Sequence, residues 1–263
     1  YLMAMLTYFG NVDLRTLETS DDEVYFNTPF NFTHYPFDWN FPLIGLAFAL
    51  FIAFVFIGFG KKILHVSDML RGFIPLLGST VFSGLFGFLG WKLLLIIYPQ
   101  YTDILHGFTY NGHDYILAFS SLALMISFLF YKNYKTETQI MSGAVAPLFL
   151  WILINLGIAI YLPGGSFFII PVFGMLLSFG FFIITQRTNP LLNLIFSIPA
   201  LIIFIPFVIT LPVGLGLKML MGSTLLIALV FGLLLPVFGS FRGKNAWTMV
   251  TFLIAIGFLI NAH

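Results

Sequence analysis

The sequence predicts an all-α membrane protein, a polytopic bundle of about eight transmembrane helices over residues 41–263 behind a short extracytoplasmic segment, residues 1–40. Three observations predict it. Hydrophobic residues fill 60% of the 263 positions and charged residues only 8%, at a mean hydropathy of +1.03. A soluble domain carries about 25% charge. A chain so poor in charge cannot clothe a water-facing surface, so lipid is its main solvent. Long apolar runs recur at close to the ~20 helical residues that cross ~30 Å of hydrocarbon. Lysine and arginine, finally, fall in alternate loops.

Residues 1–40 differ from the rest. They hold six of the ten acidic residues (Asp13, Glu18, Asp21, Asp22, Glu23 and Asp38) and no long apolar run. The stretch from Tyr1 to Phe9 reads as a short helix closed by Gly10-Asn11, a good C-terminal cap pair. Glu18 to Glu23 reads as a polar turn and Val24-Tyr25-Phe26 as a short extended piece, after which Pro29, Pro36 and Pro42 lead toward the membrane. Tyr35, Phe37, Trp39 and Phe41 alternate before the first span, as in an interfacial aromatic belt. Asn31-Phe32-Thr33 fits a glycosylation sequon.

The spans are expected at 41–59, 73–98, 115–131, 140–161, 166–185, 191–210, 217–238 and 246–261, the third and eighth being short. The tight links Leu162–Gly165 and Gln186–Pro190 imply antiparallel neighbours. Eight of the 11 basic residues (Lys61, Lys62, Arg71, Lys132, Lys135, Arg187, Arg242 and Lys244) lie in the odd-numbered connections, against Arg15 and Lys218 on the opposite side. The positive-inside rule then puts residues 1–40 and His263 on the periplasmic or lumenal side. The net charge of +1 offers no field for nucleic acid, and the absence of cysteine excludes disulfides and thiolate metal sites.

Polar groups within spans need a reason, since a charge at the bilayer centre costs about 2.5–3.5 kcal/mol on insertion scales. Lys92 is such a group, six residues before Tyr98, near enough to the helix end to snorkel and otherwise fit to line a polar cavity. Asn155 and Asn193 read as interhelical hydrogen-bonding residues. Ser79, Ser83 and Gly87 repeat at four-residue spacing, a small-residue face for close helix approach. Pro75, Pro147, Pro171, Pro199, Pro206 and Pro236 mark kinks. The loop between the second and third spans gathers Asp103, His106, His113 and Asp114, imidazole and carboxylate at no recognised metal spacing, and reads as a packing loop. Asp68 and Arg71 form an i, i+3 surface pair.

Two strings carry a family resemblance. Tyr1 to Leu14, followed by Asp22-Glu-Val-Tyr-Phe-Asn27 and the spans, resembles the passage out of the peptidase domain in the membrane-anchored two-zinc aminopeptidases. That group includes vacuolar membrane protease and endoplasmic reticulum metallopeptidase. Tyr110-Asn-Gly-His-Asp-Tyr115 is similar to this branch as well. The resemblance implies that the chain is the membrane portion of such an enzyme and begins at the last helix of a peptidase domain. Zinc and its His, Asp and Glu ligands are then expected upstream of Tyr1, with peptides as substrates of the parent enzyme and no catalytic or metal role for any residue here. A transporter or channel lined by kinked helices and Lys92, and a scaffold for other membrane proteins, are the other readings of the same pattern.

Overall fold

The computed structural model describes residues 2–13, 22–28, 31–239, 241 and 243–263. Arg15, Glu18, Asp21 and Arg242 lie outside the described residues. Helix α1 covers Leu2–Asn11 and is followed by strands β1 (Glu23–Asn27) and β2 (Phe32–Pro36). The strands pair antiparallel, Glu23 opposite Pro36 and Asn27 opposite Phe32. The Thr28 hydroxyl closes the hairpin by donating to the Asn31 carbonyl at 2.7 Å. The short extended piece expected at Val24–Phe26 is therefore one arm of a hairpin.

The remaining helices are α2 (Asn40–Gly60), α3 (Val66–Arg71), α4 (Phe73–Ile97), α5 (Gly112–Tyr131), α6 (Glu137–Tyr161), α7 (Ile169–Thr185), α8 (Pro190–Leu215), α9 (Leu220–Leu233), α10 (Leu235–Phe238) and α11 (Lys244–Asn261). Among the described residues, seven helical segments are long and apolar enough to cross a membrane. At 1.5 Å per residue, α2 with its 21 residues is about 31 Å long. The expected spans 115–131 and 246–261 reach full length because Gly112–Asp114 and Lys244-Asn245 join their helices. The span expected at 217–238 departs from expectation. It is a 3-10 turn at Leu217–Met219, then α9, then α10, and its continuous apolar helix is only Leu217–Leu233. Pro236 has no N–H to continue the ladder, so the helix breaks at Leu234 and restarts as α10.

Local chemistry fixes several helix ends. Thr136 and Gln139 form a reciprocal capping box at the start of α6. Asn189 accepts from the Leu191 and Leu192 amides ahead of α8, with Pro190 in the first turn. Gln186, at φ 58°, closes α7, and the Lys61 ammonium donates to the carbonyls of Ile183 and Ile184 at 3.0 Å each. A cation there compensates the unpaired carbonyls of the helix end.

The helices pack in two linked groups. Helix α7 lies between α2, α6 and α8, around a core of Trp151, Met175, Phe179 and Phe204. Helix α5 lies between α4, α9 and α11, and α9 joins the groups by also touching α8 and α6. Ser79, Ser83 and Gly87 are buried where α4 meets α9. A β-carbon added to Gly87 falls 2.9 Å from the Met221 α-carbon, so the backbones meet there as the small-residue face predicts. Outward faces are apolar: Phe82, Leu89, Leu93 and Ile96 on α4, and Leu253, Ile254 and Ile260 on α11, are uncovered by protein. A continuous belt of this kind is not tolerated by water and is satisfied by hydrocarbon. The protein is an integral, multi-pass membrane protein.

One end of the bundle carries the hairpin and His263, the other the described lysines and arginines of the odd-numbered connections. They are called the hairpin face and the basic face below.

Candidate functional site

On the hairpin face the loop between α4 and α5 folds back over helix ends of its own chain. Tyr98 bonds the His263 imidazole through its hydroxyl, and the Asn111 amide donates to the Ala262 carbonyl. Asp114 accepts from the Asn261 amide at 2.9 Å, which fastens α5 to the end of α11. His106 bonds the Gly214 carbonyl through Nε2 at 3.2 Å, and Leu217 N donates to Gly107 O at 2.9 Å, so the loop also closes the turn after α8. His113 stands edge-on to Phe108. His106, His113 and Asp114 thus each have a separate packing partner. Among the described residues no three His, Asp or Glu side chains stand together as a metal's ligands would.

Nearby, Val24 is fully buried, Phe26 stacks on Phe167 at 5.4 Å, and Asn40 donates to the Pro163 carbonyl at 3.2 Å. These contacts set the hairpin on the α6–α7 link. Glu23 and His34 pair across the strands at 2.8 Å. The Tyr35 hydroxyl has no partner among the described residues, and burial pushes its pKa up to about 12.

Within the bundle, Asn193 bonds three elements together: its amide oxygen accepts from the Ser178 hydroxyl of α7 at 2.6 Å, and its nitrogen donates to the Pro236 carbonyl of α10 at 3.2 Å. Asn155 donates to the Trp151 carbonyl one turn back at 2.8 Å and to the Phe168 carbonyl at 3.4 Å, and its buried oxygen has no partner among the described residues. The Trp151 indole donates to Leu229 O on α9 at 3.1 Å. Ser223 donates at 2.8 Å to the Val208 carbonyl, which lies four residues before Pro212 and so lacks its helical partner. Lys92 is exposed on α4 with its ammonium 5.9 Å from the Phe88 ring centre, consistent with a cation over an aromatic face.

The basic face holds what the sequence reading did not single out as a site. A pocket of ≈ 870 Å³ is bordered by Lys132, Lys135 and Lys244, with Glu137, Thr188 and Phe241 also in its walls. The Lys244 ammonium donates to the Tyr134 carbonyl, and Glu137 accepts from the Thr188 amide at 3.0 Å. Tyr134 is pushed up to about 12, by burial first and then by the Asp68 carboxylate. Asp68 faces Arg71 at 3.9 Å, the expected i, i+3 pair. Beneath the lysines lies a cluster of rings: Phe128 contacts Phe231, Phe238, Phe241 and Trp247. Further into the bundle an apolar cavity of ≈ 290 Å³ runs between α5, α8 and α9, lined by Leu124, Leu201, Phe204, Ile205 and Val230 among others. The lysine pattern along the sequence had marked only sidedness. The convergence of three of those lysines depends on α11 returning beside α5.

This arrangement defines an all-α polytopic membrane protein with a polar, self-packed loop face and an opposing basic pocket. Comparison with protein-family models, curated proteins and solved structures returned no match.

Proposed function

We propose that the chain is the membrane-spanning part of a zinc-dependent aminopeptidase and that it anchors a peptidase domain on the hairpin face, the periplasmic or lumenal side. Helix α1 carries this reading. None of its residues is buried, and Leu2 is 75% and Leu6 61% exposed, with Met3, Met5, Tyr8 and Phe9 also uncovered. A ten-residue helix with this apolar surface is marginal alone in water and needs another surface to cover it. The likeness of Tyr1–Leu14 to the closing helix of the two-zinc peptidase domain supports that domain's own core as the covering surface.

The bundle interior fits an anchor better than a carrier. Carriers place several ionisable groups at the midplane, whereas Lys92 faces outward. Zinc and its ligands belong to the peptidase domain, and peptide substrates are met outside the membrane. The coding sequence upstream of Tyr1 is expected to specify an α/β domain with a His/Asp/Glu two-zinc set. The full-length protein is expected to release a fluorescent amine from aminoacyl amides, to lose that activity to a chelator and to regain it with zinc. An upstream region without such a domain, or a full-length protein without zinc-dependent release, overturns the reading.

A further inference from the structure

We propose that the basic face holds an anionic glycerophospholipid, its phosphate received by Lys132, Lys135 and Lys244 and one acyl chain laid in the cavity between α5 and α8. The inference does not depend on the aminopeptidase reading.

Charge complementarity is the first argument. Lys132 and Lys135 lie on the exposed rim of the pocket, and among the described residues neither pairs with a carboxylate. Lys244 is held over the same space by the Tyr134 carbonyl. The opposing charge in the pocket is Glu137, and its Oε2 accepts the Thr188 amide on the far wall. The described lining residues therefore leave two net positive charges facing the plane where phospholipid phosphates lie. Basic pockets between helices at this level bind acidic headgroups.

The second argument is the nearness of the polar and apolar parts. The stretch around α10 stands between them: Pro236 and Gly239 line the lysine pocket, and Leu234 and Phe238 line the apolar cavity. The break at Leu234, forced by Pro236, lies in that dividing stretch. Ser120 is the single side-chain polar group in the lining of the apolar space, so it suits hydrocarbon and not a water-borne solute. Leu117, Ile205 and Ile209, which border this space on α5 and α8, are uncovered, and those two helices touch each other only slightly. Along α8 the lining runs from Ala200 to Ile209, about 15 Å of helix at 1.5 Å per residue.

The test is native mass spectrometry of the full chain released from detergent, titrated with phosphatidylglycerol or with phosphatidylcholine of the same acyl chains. Phosphatidylglycerol is expected to bind more tightly. Lys132→Ala and Lys135→Ala are each expected to weaken it about fivefold, the attraction of one surface lysine for an anionic leaflet. Leu201→Trp, which fills the apolar space, is expected to weaken it as well in protein that retains native helicity. Lys218→Ala, on the hairpin face, is expected to change nothing, and inorganic phosphate is not expected to displace the lipid. Equal binding of the two lipids overturns the proposal, as does a double lysine variant that binds like the parent. Displacement by inorganic phosphate shows a free-anion site instead and likewise overturns it. If Leu201→Trp binds normally, the acyl chain lies elsewhere and the two-part site is wrong.

Discussion

At the residue scale, the polar side chains of the spans divide by what they bond. Asn193 spends both ends of its amide on other helices, α7 through Ser178 and α10 through Pro236. Asn155 makes its shorter bond within its own helix and a longer one, 3.4 Å, to the Phe168 carbonyl, and its oxygen has no partner among the described residues. Truncating Asn193 strands a buried hydroxyl and a buried carbonyl, whereas truncating Asn155 removes one bond within its own helix, one long bond, and an acceptor without a donor among the described residues. Asn193→Ala is therefore expected to destabilise by about 1–2 kcal/mol and Asn155→Ala by clearly less. Thermal unfolding of the two variants in the same detergent measures the difference, and equal losses would mean that the interhelical bonds contribute nothing. The comparison is possible because the two asparagines are almost equally buried.

Helix pairs are held by backbone approach as much as by side-chain contact. At Gly87 an added β-carbon meets Thr224 Oγ1 at 2.3 Å and the Met221 α-carbon at 2.9 Å, and backbone cannot move aside as a flexible side chain does. Gly174 is similar: an added β-carbon would collide with the Phe196 carbonyl oxygen of α8, so α7 and α8 approach closely there. Gly45 on α2 has open space around it. Gly87→Ala is expected to force α4 from α9 at a cost of about 1–3 kcal/mol. Gly45→Ala is expected to be neutral or mildly stabilising, because alanine loses less backbone freedom on forming a helix. Unfolding in a graded series of denaturing detergent distinguishes the two, and a stable Gly87→Ala protein would show that the α4–α9 contact yields more readily than its backbone approach implies. Proline acts at the same scale. Pro212 leaves the Val208 carbonyl for Ser223, and Pro236 divides α9 from α10, so one residue type both joins helices and breaks them.

The whole molecule is an apolar belt between a hairpin face and a basic face, and its sidedness is testable because the chain has no cysteine. Leu105, in the α4–α5 loop, is fully exposed, and Lys132 lies exposed on the opposite face. With the basic face toward the cytosol, Leu105→Cys is expected to react with a membrane-impermeant maleimide in intact cells. Lys132→Cys is expected to react only after permeabilisation. The reverse pattern would invert the orientation and take the proposed peptidase domain to the wrong side of the membrane.

The sequence by itself determined the fold class, because one quantity, the shortage of charge along long apolar runs, decides which solvent surrounds the chain. It also located most of the helices, since a run of about 20 apolar residues has to satisfy its own backbone in hydrocarbon. Counting lysine and arginine grouped the odd-numbered connections on one face. The close approach at Ser79, Ser83 and Gly87 was legible because helical spacing puts those small residues on one face. Other features were decided only by tertiary structure. The break in the 217–238 segment depends on how Pro236 is accommodated among α8, α9 and α10. The partners of Asn193 lie 15 and 43 residues away. His106, His113 and Asp114 are neighbours along the chain, yet they turn to Gly214, Phe108 and Asn261 and form no common site. Lys132, Lys135 and Lys244 border one pocket because α11 packs beside α5. Patterns along a chain record which solvent each segment meets, whereas a site requires distant side chains to converge, and only the packing of helices against one another sets that.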